Sequence, residues 1–189
     1  SDWKLPNVYL LHGDLSKEEM NYLYNHPKIK AMVSFTHGEG FGRPLLEATM
    51  TGLPVIASGW SGQLDFLDKD KSLLIKGNFQ KVPDSIVWTD IIVKDSQWFT
   101  VDESSAYKAF NYVFKNYFDV KRGAKSLMNI NRQKFSLNKM AEKLDEIITP
   151  HLDKIPTQVG IKLPKLKKID NSKPPKMKLP KLKKLTEDI

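Results

Sequence analysis

Two glutamates, Glu39 and Glu47, flank a glycine-rich turn in the stretch HGEGFGRPLLEATMTG, residues 37–52. A core helix has no use for two carboxylates with glycines and a proline between them. Each carboxylate can accept hydrogen bonds from the hydroxyls of a bound polyol. A strand is expected to end at Phe35 and a helix to begin near Pro44. The first N–H groups of such a helix lack intrahelical partners, and its dipole is positive there, which makes an anion site, most naturally for phosphate. Gly40 and Gly42 allow the backbone to approach a ligand closely, and Arg43 adds a charge-assisted contact. Glu47, one turn into the helix, is placed to hold a ribose diol, and Glu39 to hold a second polyol. The plainer reading of the same residues is a tight turn between two solvated charges.

The elements that must position this turn follow from local pattern. Val8-Tyr9-Leu10-Leu11 is a short apolar run ended by His12-Gly13-Asp14, which predicts a buried strand. Ser16 to Glu19 fits a capping box that opens a helix running to about His26, before Pro27. Ala31 to Phe35 predicts a second buried strand. Pro44 suits the first turn of the next helix and Gly52 its left-handed cap. Pro54 to Ala57 predicts a third strand, so residues 7–58 read β-α-β-loop-α-β, a parallel sheet with helices on its faces. Ser72 to Ile75 is a further strand candidate. Residues 77–101 show no helical period and read as extended or irregular, with Trp88 and Trp98 as core or domain-edge packing. Asp102 is expected to cap a helix to about Phe118 with Ala106, Phe110, Val113, Phe114 and Tyr117 as its core stripe. Asp119 opens another to about Lys134, and Ser136 caps a last one with Met140, Leu144, Ile147 and Ile148 on one face.

Composition limits the function classes. The 189-residue chain has no cysteine, and its four histidines show no i, i+4 pair, so neither a disulfide framework nor a zinc site is expected. The net charge of +8 does not mark a nucleic-acid binder, because residues 1–153 carry 19 basic and 19 acidic side chains. Residues 154–189 carry 11 lysines against three acids, five of the eleven prolines and the near-repeat IKLPKLKKI and MKLPKLKKL. The expected organisation is a body over 1–153 and a basic Lys/Pro/Leu-rich tail over 154–189. That tail reads as a solvated extension, as a contact with an anionic membrane surface, or as a docking segment.

The turn and its surroundings resemble one family. Glu39-Gly40-Phe41-Gly42-Arg43-Pro44-Leu45-Leu46-Glu47-Ala48 is similar to the Glu-x7-Glu motif of retaining GT-B glycosyltransferases of the family 4 type, the glycosyl transferases group 1. The segments Thr51-Gly52-Leu53-Pro54-Val55-Ile56-Ala57 and Ser58-Gly59-Trp60-Ser61-Gly62-Gln63-Leu64-Asp65 continue the likeness, with Asp65 where the family has Glu. So does Phe135 to Ala141, and the resemblance spans about residues 7–148. It implies a Rossmann-like donor-binding domain, the C-terminal half of a GT-B fold, that takes a nucleoside-diphosphate sugar as substrate with no cofactor and no metal.

The resemblance also implies roles. Glu39 would be the catalytic-site grip on the donor sugar hydroxyls, with the backbone at Gly40, Phe41 and Gly42 beside the sugar. The N–H groups of Arg43 and Leu45 would meet the diphosphate, and Glu47 the ribose. Leu11, His12 and Gly13 would lie near the base, and His37 near the donor. Arg43 departs from the family's commoner Leu and is expected to add a phosphate contact. The acceptor domain and the first strand-helix portion of the donor domain are not matched, so the expectation is one part of a larger or split glycosyltransferase, inactive alone. A non-catalytic scaffold derived from the same fold is the alternative. The expected localisation is cytoplasmic, with a peripheral membrane contact through the tail.

Overall fold

The Ser16–Glu19 box opens the first helix, α1 (Lys17–Asn25), as its spacing requires. Ser16 Oγ accepts from Glu19 N at 3.2 Å, and the Glu19 carboxylate accepts from Ser16 N at 2.8 Å. In this computed structural model, residues 6–154 are described. The chain divides into two units, and the first of them, the body that carries the turn, ends at Pro150. The lysine-rich tail and its near-repeat lie outside the described residues.

Three short strands, β1 (Met32–Ser34), β2 (Val55–Ser58) and β3 (Leu73–Ile75), form a parallel sheet in the order β1-β2-β3. Met32 pairs with Val55 and Ile56 with Leu73. Every residue of β2 is buried, as befits a central parallel strand covered on both faces. Its side chains alternate between two cores. Val55 and Ala57 pack with Leu45 and Leu46 of α2 (Arg43–Met50), Tyr24 of α1, and Leu127 of α4 (Tyr117–Lys134). Ile56 faces the other way, onto Ala106, Ala109 and Val113 of α3 (Glu103–Lys115). Helices thus cover both faces of the sheet, the Rossmann-like arrangement expected. Burying side chains such as Val55 and Ile56, each 1% exposed, stabilises the fold by roughly 1.5–3 kcal/mol apiece. The buried Asn131 of α4 donates to Thr49 Oγ1 of α2 at 2.9 Å and to Phe66 O at 3.2 Å, fixing α4 to α2.

Several expectations need correction. Residues 8–11 form no strand, and Val8, Tyr9 and Leu10 are 86–89% exposed. An apolar run becomes a strand only where a neighbour completes its ladder, and this one pairs with none of the described strands. Residues 77–101 are more regular than their pattern suggests: β4 (Gly77–Lys81) and β5 (Gln97–Val101) form an antiparallel ribbon with Phe79 opposite Phe99. Trp88, read as packing, is 65% exposed. On α3 the buried face is Ala106, Ala109 and Val113, while Phe110 is 44% and Phe114 86% exposed. The small residues let the helix lie close to the sheet, and that turns Phe114 outward. The following helix starts at Tyr117, not Asp119. Ser136 caps α5 (Leu137–Ile148), as expected, by accepting from Lys139 N at 3.3 Å. A 3₁₀ turn, Thr149–Lys154, follows it. Among the described residues no helix is long and apolar enough to cross a membrane.

Candidate functional site

The turn between β1 and α2 is held from behind by the segment that follows β2. Ser58 Oγ donates to Thr36 O at 3.1 Å and Trp60 Nε1 to His37 O at 3.0 Å. Ser61 Oγ donates to Glu39 O at 2.7 Å and accepts from Glu39 N at 3.1 Å, while Gly62 N donates to the same Glu39 oxygen at 3.0 Å. Both backbone polar groups of Glu39 are therefore fixed. The approach is so close that a Cβ on Gly62 would lie 2.1 Å from Gly40 O, so only glycine fits. Ser61 adopts φ +79°, an unfavourable angle for a residue with a side chain. That strain sits at the residue clamping Glu39. Behind the turn, the buried Gln63 donates from Nε2 to Ser58 O at 2.9 Å and packs against Gly42.

The Glu39 side chain, half-buried, takes no hydrogen bond or ion pair among the described residues. A fixed backbone carrying a free carboxylate suits a grip on ligand hydroxyls. His37 is not free in the same way. Its Nδ1 lies 2.7 Å from Phe99 O, and because a carbonyl can only accept, Nδ1 carries the proton. Its ring stacks on Trp98 at 3.9 Å and 5°. His37 is a strut between the turn and the β4–β5 ribbon.

Gly42 opens α2 as an N-cap at φ +84°, with no side chain closing the helix start. Leu45 N already donates to Gly42 O at 3.0 Å, and Pro44 has no N–H. The N–H of Arg43 is thus the donor at the helix start left to a ligand. The Leu45 side chain, 2% exposed, belongs to the core. Phe41 packs on Phe66 and Phe135, and Gly40 stays exposed.

Glu47 lies in a different setting. It pairs with Arg43 Nε at 3.1 Å and accepts from Tyr24 Oη at 3.5 Å. Burial, and then the Glu47 charge, push the Tyr24 hydroxyl above its ordinary pKa. These residues line a cleft of about 540 Å³ that also takes in Lys17, Met50 and Arg132. Three cations and one carboxylate face that space. Glu39 is not among its lining residues, and neither are Leu11, His12 and Gly13. The structure thus brings Arg43 and Glu47 together in this cleft, and Glu39 does not line it. Leu11, His12 and Gly13 are exposed.

Sequence reasoning missed Tyr24, Lys17, Arg132 and Ser61. Lys17 and Tyr24 stand seven residues apart on α1 and so share one face, a signal that was available. Arg132 is more than 80 residues from Met50, whose carbonyl it contacts at 2.8 Å, and no local pattern marks it. Among the described residues no group of three or more His, Asp or Glu side chains could hold a metal ion.

The family model described as Glycosyl transferases group 1 matches residues 3–88. The match takes in the glycine turn, both glutamates and the Ser58–Asp65 clamp. It covers under half of the chain and is consistent with a GT-B-type fold and with sugar transfer in general. No curated protein matches the chain.

Proposed function

We propose that this chain is the donor-binding part of a retaining, metal-independent glycosyltransferase that takes its sugar from a nucleoside diphosphate. The observation that carries the reading is the free Glu39 carboxylate on a clamped backbone, just before the start of the helix whose Glu47 lines the cation-rich cleft. A sugar nucleotide laid across that start would place its hexose at Glu39 and its diphosphate at the N–H of Arg43. Its ribose would then lie at Glu47. The positive helix start, with the side chains of Lys17, Arg43 and Arg132, would stabilise the charge that develops as the diphosphate leaves the sugar. The acceptor would be presented by a second domain, and the chain alone is expected to bind donor weakly and transfer nothing. The basic tail over 154–189 would bring such a protein to an anionic membrane surface from the cytoplasmic side.

A second reading, a non-catalytic module built on the same fold, draws on the Arg43–Glu47 pair, which satisfies the carboxylate within α2 itself. Calorimetric titration with UDP, GDP and ADP and with their glucose or mannose derivatives separates the two. On the enzyme reading, Glu47→Ala weakens nucleotide and sugar nucleotide alike by roughly tenfold, while Glu39→Ala weakens only the sugar nucleotide. Absence of any nucleotide binding by the wild-type chain leaves the scaffold.

A further inference from the structure

Beside Glu39 the chain exposes aromatic rings that neither core claims. Trp60 lies against Gly38, where an added Cβ would meet Trp60 Nε1 at 3.4 Å, so the indole flanks the residue before Glu39. It keeps 37% of its surface exposed. Phe79 of β4 meets Trp60 edge-on, at 4.6 Å and 87°, and is 51% exposed. Phe99, opposite Phe79 in the ribbon, is buried at 8% and supports both rings from beneath. The hydrogen bonds from Trp60 to His37 O and from His37 to Phe99 O tie the ribbon to the turn. The aromatic surface is therefore held in fixed relation to the backbone of the turn that carries Glu39.

We infer that Trp60 and Phe79 form a stacking platform for a pyranose whose hydroxyls Glu39 accepts. A hexose has two unlike surfaces: equatorial hydroxyls at its edge and a patch of axial C–H groups on its face. The first demands acceptors such as an unpaired carboxylate, and the second a flat π surface, since ring faces are negative and attract the C–H edge. Trp60 and Phe79, their planes 87° apart, offer a ring face and a ring edge next to the turn that carries Glu39. Leaving Trp60 and Phe79 half exposed costs hydrophobic stabilisation that burial would recover, and a sugar face laid on them recovers it. The ring that supports the pair, Phe99 on β5, lies outside the family match over residues 3–88, while Trp60 and Phe79 lie within it. The inference deepens the donor-binding reading, and the pyranose is either the donor's own sugar or a sugar of the acceptor.

Saturation-transfer NMR on the full chain tests it. The probes are methyl α-glucopyranoside, methyl α-mannopyranoside and UDP-glucose, each with and without excess UDP. The expected result is saturation of the C–H protons of a pyranose face. Phe79→Ala and Phe79→Leu should both lose most of that signal and weaken the sugar about tenfold, while Trp60→Phe, which keeps a ring, should retain it. Phe79→Leu preserves apolar volume, and an unchanged Tm certifies that its loss is not unfolding. If UDP-glucose displaces the free glycoside, the platform holds the donor sugar; if both bind together, it holds the acceptor. The proposal is overturned if no pyranose is saturated, or if both Phe79 variants match the wild type. UDP binding weakened about tenfold by Glu47→Ala, together with unresponsive Phe79 variants, would sink the platform alone. Pyranose saturation without UDP binding would sink the nucleotide reading and leave the platform standing.

Discussion

Glu39 and Glu47 are the same residue type, eight positions apart, and the chain treats them in opposite ways. At Glu39 the backbone is immobilised by three hydrogen bonds shared with Ser61 and Gly62 while the side chain is left free. At Glu47 the backbone is ordinary helix and the side chain is engaged, by Arg43 and Tyr24. The difference separates two ways of holding a hydroxyl-bearing ligand. A carboxylate on a rigid turn has only its side-chain freedom to lose on binding. One already paired must exchange its protein partner for the ligand, which makes it adjustable.

The clamp on Glu39 is the part most easily broken. Gly62→Ala forces a Cβ to within 2.1 Å of Gly40 O and 2.9 Å of Glu39 O, a clash with backbone that no rotamer relieves. We expect a loss of about 3 kcal/mol, from overpacking at a site that cannot give way, and a Tm drop of roughly 8 °C. Glu39-dependent sugar binding should vanish with it. Thermal denaturation of the variant at wild-type Tm would show that the turn is looser than its hydrogen bonds imply.

How much of this is legible in the residues alone? The capping box at Ser16, the proline inside α2, Gly52 at φ +70° and the strand at Val55 are all local devices, and each folds as its residues direct. What failed were features set by remote neighbours. Val8 to Leu11 is apolar enough for a strand, yet ladder partners are not written in the segment itself. Phe110 and Phe114 are apolar enough for a core stripe, but the buried face of α3 belongs to Ala106, Ala109 and Val113, and both rings stay exposed. Within the site, Glu39, Arg43 and Glu47 could be picked out by spacing. The clamp from Ser61, more than 20 residues on, could not, and nor could the strut formed by His37 and Trp98.

A subtler test of the clamp compares two substitutions at one position. Ser61→Ala loses both side-chain hydrogen bonds to Glu39 and keeps a residue with a Cβ at φ +79°. Ser61→Gly loses the same bonds but relieves the backbone. We expect a cost of about 1–2 kcal/mol for alanine, and roughly 1 kcal/mol less for glycine, because glycine adopts positive φ freely. Urea denaturation measures both. If glycine proves the worse of the two, Ser61 is not strained, and the clamp rests on hydrogen bonding alone.

At the other carboxylate, Arg43→Leu asks whether the ion pair serves stability or the ligand. The Arg43 side chain is 83% exposed and that of Glu47 42%. Screened by water, such an i, i+4 pair contributes at most about 0.5 kcal/mol. Tm should therefore hardly move. UDP affinity should fall several-fold if the guanidinium reaches the phosphate, and should stay level or rise if Arg43 only occupies Glu47. An unchanged affinity would remove Arg43 from the anion site.

The smallest expected effect is a pH dependence confined to the Glu47 side. The Tyr24 hydroxyl is raised above its ordinary value of 10.0 by burial and then by the neighbouring carboxylate. A group whose pKa is higher folded than unfolded adds stability that is whole below the unfolded value and declines as pH rises through the folded one. The chain should thus lose stability above about pH 10, as the unfolded tyrosine releases its proton before the folded one. Tyr24→Phe cannot ionise and should flatten that part of the profile, with Glu47→Gln flattening it less because burial is the larger cause. Glu39→Gln should leave it untouched, since Glu39 makes no side-chain contact with Tyr24 among the described residues. Denaturant titrations between about pH 8 and 11 would read the slopes, and an equal response from both glutamate variants would contradict the independence of the two carboxylates.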